Sequence, residues 1–115
     1  MVRKITESLT ESDLEFIDSY VNERGETEDT YIIGAYYVYH EYTEDSEINR
    51  VRVQKTSQYA VDIYEKIGFR HKKTEALLIN WGAWGSVGVA ETKEFINALN
   101  DAVNVVEILE KKFLT

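Results

Sequence analysis

Cysteine is absent from the 115-residue chain, and with it every disulfide and every thiolate metal site. That fits a reducing compartment, and a cytoplasmic location is expected. Proline is absent too and glycine occurs six times, which leaves no material for a flexible linker or a low-complexity tail. No apolar run approaches the roughly 18 residues of a membrane span; Ala76-Leu77-Leu78-Ile79 is among the longest, so no membrane partner is expected. The opening Met1-Val2-Arg3-Lys4-Ile5-Thr6-Glu7 has a basic pair but no apolar stretch behind it, unlike a secretion signal. Histidine is scarce. His40 and His71 have no histidine or cysteine at ligand spacing, which excludes a structural zinc site. A Gly-x-Ser-x-Gly elbow, a His-Glu-x-x-His pair and a Walker lysine are all missing. With no nucleophile set beside a base, the reading is a non-enzymatic protein without cofactor or metal.

What is present is enough apolar material, 43% hydrophobic and 12% aromatic, for the core of a single α+β domain over residues 1–115. The net charge of −8 is unevenly spread. Residues 1–49 hold thirteen acids against Arg3, Lys4 and Arg24, a net of −10. Residues 50–73 hold seven bases against Asp62 and Glu65, a net of +5, and residues 74–115 return to −3. Overall acidity argues against indiscriminate adhesion to nucleic acid or anionic lipid, while the basic middle leaves room for a local anion-binding surface.

Local patterns predict an N-terminal helix, a four-stranded and mainly antiparallel sheet, and a long C-terminal amphipathic helix in two layers. Thr10 as N-cap, Asp13 three residues later, Leu14, Ile17 and Val21 at helical spacing and Gly25 as a stop predict a helix over 11–24. Residues 30–42 are β-branched and aromatic almost throughout and predict one central strand, apolar on both faces. Thr43-Glu44-Asp45-Ser46 reads as a tight turn. Residues 47–55 alternate, with Val51 and Val53 on one face and Arg50, Arg52 and Gln54 on the other. After Thr56-Ser57, a strand containing Tyr59, Val61 and Ile63 should pair with it and run on towards Phe69, placing Asp62 and Tyr64 beside the arginines. Residues 75–84 predict a fourth strand. Phe95, Leu99, Ala102, Val106, Leu109 and Phe113, broadened by Ile96 and Val103, predict a helix over 90–113. Its stripe exceeds what a small sheet can cover, and with two doubly apolar strands this points to a homodimer, the alternative being a monomer with a helix on each face of the sheet.

Three segments carry binding chemistry. Arg50, Arg52, Tyr64, Lys66, Arg70, Lys72 and Lys73 interleave cations with an aromatic, a pattern suited to holding phosphates by charge and bases by stacking. The opposing reading pairs these cations with nearby acids, starting with Asp62. Trp81 and Trp84 sit among glycines before a helix start, where a ring could stack, or where the tryptophans could simply anchor the core. The acids Glu26, Glu28, Asp29, Glu44 and Asp45 could instead face a basic partner. His71, amid three cations, is better suited to contact than to proton transfer.

The order of four strands and a long helix over residues 30–113, used as a dimer, resembles the layout of Whirly-type single-stranded DNA-binding proteins. The likeness covers element order alone and carries no site residue with it. The sequence therefore supports two functions: a module whose basic and aromatic sheet region binds a nucleic acid or nucleotide, or an acidic interaction or inhibitor protein that mimics nucleic acid towards a basic partner. Small acidic accessory proteins, including viral ones, have this composition.

Overall fold

Residues 8–80 and 87–115 are described by a computed structural model, and the first of them depart from the helical expectation. Thr10 does start a turn: its N–H donates to Asp13 Oδ2 at 2.7 Å. The turn is a single 3-10 turn, Glu11–Asp13, and the chain then enters strand β1, Glu15–Val21. The N-terminal helix is absent. Phe16, Ile17, Tyr20 and Val21 are strong strand formers, and a bulge shifts the register from Phe16 opposite Tyr31 to Asp18 opposite Thr30. One extra residue breaks the period of two, and the resulting spacing imitates a helical stripe.

The stretch read as one strand over 30–42 is two: β2, Thr27–Ile33, and β3, Tyr36–Tyr42, paired from Ile33 opposite Tyr36. Gly34 and Ala35 make the two-residue loop between them, and Gly34 supplies the positive φ of 55° that such a loop needs. The turn at 43–46 and strand β4, Asn49–Lys55, follow as predicted. The sheet runs β1-β2-β3-β4, antiparallel throughout.

The expected hairpin between β4 and the next strand does not form. Strand β5, Asp62–Ile67, pairs instead with β6, Thr74–Asn80, in a separate two-stranded sheet. The reason lies at the second edge of β4. There Asn49 N–H donates to Lys72 O at 2.8 Å and Val51 N–H donates to Thr74 Oγ1 at 2.8 Å, so the start of β6 takes the place of a neighbouring strand. Tyr59, predicted on the core side of a strand, lies before β5 and is exposed. Among the described residues, 30–113 thus carry five strands in two sheets rather than the four of the Whirly-like layout.

Helix α1, Val89–Phe113, closes the fold. Its 25 residues extend about 37 Å at the usual rise. Ala102, Val105, Val106 and Leu109 are buried with Ile33, Tyr36, Val38 and Val51 of the large sheet and Val61, Ile63 and Leu77 around the small one. Burial of such side chains supplies roughly 1.5–3 kcal/mol each. Tyr36 is fully buried with its hydroxyl donating to Val61 O at 2.5 Å, and burial pushes its phenol up to about 12. Polar contacts pin the helix end: Leu77 N–H donates to Glu110 Oε2 at 3.1 Å, and Asn49 Nδ2 donates to Phe113 O at 2.7 Å. Ile96 and Val103, expected to broaden the packed stripe, face solvent instead.

Thr74 is the joint between the sheets. Its hydroxyl accepts from Val51 N–H and donates to Glu65 Oε2 at 3.0 Å. Thr74→Val keeps the shape and removes both bonds, leaving a buried N–H without an acceptor. We expect a loss of about 1–3 kcal/mol, read as a lower urea midpoint at unchanged slope. A midpoint equal to wild type would contradict this role.

Candidate functional site

Strand register assigns one face of the large sheet away from the core. Asp18 and Tyr20 of β1, Glu28, Thr30 and Ile32 of β2, Tyr37, Tyr39 and Glu41 of β3, and Arg50, Arg52 and Gln54 of β4 share it. The opposite set includes Tyr31, Val38 and Val51, which touch the core. Tyr20 and Tyr37 are exposed on this outer face, and Tyr39 is half-buried.

Arg50 and Arg52 project from the same strand face, as alternation predicts, but their charges are answered within the protein. Arg50 Nη2 donates to Glu26 Oε2 at 3.0 Å and to Glu41 Oε2 at 2.8 Å, and Nη1 donates to His71 O at 3.0 Å. Glu26 is only 4% exposed. It is carried there by the turn after β1, in which Asn22 Oδ1 accepts from the N–H groups of Arg24 and Glu26, and Gly25 takes φ 78°. A buried carboxylate needs its cation, so Arg50 is held in place by the cost of leaving Glu26 alone. Arg52 lies over the Tyr39 ring at 4.3 Å and within 3.9 Å of Glu28. Tyr39 O–H in turn donates to Gln54 Oε1 at 3.1 Å. Glu28 also acts on Tyr20, whose phenol its hydrogen bond and charge hold above the usual range. The expected pairing of an arginine with Asp62 is replaced by Lys55 with Asp62 at 3.0 Å.

The remaining candidates are scattered. Tyr64 and Lys66 are exposed on β5, in the other sheet, with Lys66 near Glu75 at 3.7 Å. Arg70, at φ 59° in the 3-10 turn Phe69–His71, covers the exposed Phe69 ring at 5.0 Å. Lys72 pairs with Glu47. Lys73 is exposed and makes no ion pair among the described residues. Trp81 and Trp84 lie outside the described residues. Of the acids, Glu28 is on the outer face and Asp29 on the inner one, where it accepts from Ser19 and Tyr42 hydroxyls at 2.5 and 2.9 Å. Glu44 and Asp45 occupy the exposed turn after β3; Asp45 Oδ1 accepts from Thr43 O–H and Glu47 N–H, which lowers its pKa.

Sequence reasoning passed over Tyr37 and Tyr39 as functional residues. Their signal was the same alternation that aligned the arginines, hidden by treating β2 and β3 as one strand. Among the described residues no group of His, Asp and Glu side chains is arranged to hold a metal, and no helix is long and apolar enough to cross a membrane. Comparison with protein-family models, with curated proteins and with solved structures gives no match.

His40 has a defined state. Asn49 Nδ2 donates to Phe113 O, so its Oδ1 must be the acceptor and His40 Nε2 the donor across 2.6 Å. The ring lies between Tyr42 and Phe113, with centroids at 4.6 and 4.4 Å. Burial lowers its pKa below 6.5, outweighing the opposite pull of Asn49 and Asp29. A depressed histidine gives stability that is complete above the unfolded pKa near 6.5 and is lost as pH falls through the folded value. Urea midpoints should therefore decline below about pH 6.5, and His40→Gln should flatten that decline. An unchanged pH profile in the variant would show that His40 titrates alike in both states.

Proposed function

We propose that the protein is a cytoplasmic, non-catalytic interaction module that binds a basic partner protein through the outer face of its four-stranded sheet. The observation that carries this reading is the internal compensation of Arg50 and Arg52. With Glu26, Glu28 and Glu41 set against them, the face retains an excess of carboxylate from Asp18 and its neighbours and offers no unpaired cation to a phosphate. Three tyrosines stand on the same face. Rigid amphipathic rings beside buried charge pairs are the usual anchors of protein interfaces. A complementary partner would bring lysine or arginine to the acids, with aromatic or aliphatic groups against Tyr20, Tyr37 and Tyr39. Of the cations in the basic middle, Arg50 and Lys72 are already engaged with carboxylates, which favours this reading over the nucleic-acid one.

The test compares two titrations of isotope-labelled protein followed by nuclear magnetic resonance. One ligand set is a panel of arginine-rich peptides with and without aromatic residues; the other is single-stranded DNA. Aromatic cationic peptides should shift Tyr20, Tyr37 and Tyr39, and Tyr39→Ala or Asp18→Asn should weaken them about tenfold, as loss of one interface anchor does. Saturable DNA binding that maps to Arg52 and Tyr39 would overturn the reading in favour of the nucleic-acid one. Light scattering on the free protein tests the expected homodimer; a dimer that covers the tyrosines would also count against an open partner face.

A further inference from the structure

A cavity with lysines and no carboxylate side chain in its lining lies on the other side of the sheet. Between the end of β3, the turn that follows it, the start of β6 and the last turn of α1 is a cavity of about 460 Å³. That volume falls in the range of roughly 300–1,000 Å³ typical of small-ligand sites. Lys73 and Lys112 line it, together with the hydroxyl residues Thr43 and Ser46. His40, Tyr42 and Phe113 form an aromatic wall. No aspartate or glutamate side chain lines the cavity, although the chain has 21 such residues. The contrast with the cavity of about 690 Å³ beside the first half of α1 is direct, since Glu91, Glu94 and Asp101 line that one. Lys73 has no ion pair among the described residues, and Lys112 pairs with Glu11 at 3.8 Å while its side chain stays 39% exposed. The Lys73 ammonium is therefore available to an incoming anion, and the exposed Lys112 can turn to it from Glu11.

The geometry points to a binding site for a small organic anion with a flat ring, the acid group held by Lys73 and Lys112 and the ring set against Tyr42 and Phe113. The wall is preorganised: Asn49 fixes both His40 and the Phe113 carbonyl, so the aromatic residues are locked before any ligand arrives. This site shares no lining residue with the outer tyrosine face and stands or falls independently of it.

Adenosine monophosphate, adenosine and inorganic phosphate serve as probes, followed by amide and side-chain resonances of the intact chain. The nucleotide should give saturable shifts at His40, Tyr42, Lys73 and Phe113, and bind more tightly than adenosine or phosphate alone. Lys73→Gln and Lys112→Gln should each weaken it about tenfold, the loss expected from one charge-assisted contact. Lys93→Gln, on the far half of the helix, should leave it unchanged. Both lining lysines lie at the surface, so retained spectral dispersion separates loss of binding from loss of fold. No saturable shift up to about 10 mM, where even millimolar affinity would register, would overturn the assignment. Binding insensitive to both lysine substitutions would overturn it equally.

Discussion

The structure hangs on β4, whose two faces and second edge are all committed. Its inner face gives Val51 to the core, and its outer face gives Arg50 to two carboxylates. Its second edge cannot be left bare beneath packed side chains, because a buried N–H without an acceptor costs as much as a good hydrogen bond contributes. Lys72 supplies a carbonyl and Thr74 a hydroxyl to that edge. These contacts bring in the β5–β6 hairpin, and the hairpin gives α1 its seat through Leu77 and Glu110.

The same strand decides the chemistry of the surface. An acidic protein with a basic central segment could expose that segment or neutralise it. Here the turn after β1 brings Glu26 to Arg50 and Arg24. The outer face is then a surface of tyrosines bordered by acids, while Lys73 and Lys112 lie elsewhere, near the end of α1. The acidic aromatic face and the cavity lined by Lys73 and Lys112 thus lie apart on one small fold.

Much of this was legible locally. The spacing of Phe95 to Phe113 specifies α1, the alternation of Val51 and Val53 with Arg50 and Arg52 specifies β4, and Thr43 to Ser46 carry their own turn chemistry. What the pattern misses is non-local or turns on one residue. Gly34 splits a continuous apolar run, and nothing but its freedom to take a positive φ marks the hairpin. The bulge at β1 produces a false helical period. The choice of β6 over β4 as partner for β5 depends on Thr74, and the fate of Arg50 depends on Glu26, 24 residues away. Charge counting along the chain sees a basic segment; only the fold shows that its first arginine is already paired.

The most direct test is therefore a double-mutant cycle on that pair, with unfolding free energies of Arg50→Ala, Glu26→Ala and the double variant. A partly buried pair of this kind should show a coupling of about 1–3 kcal/mol, with the double variant less destabilised than the two singles summed. Coupling near zero would mean that Arg50 is energetically free, and the account of an arginine-neutral, partner-binding face would fail.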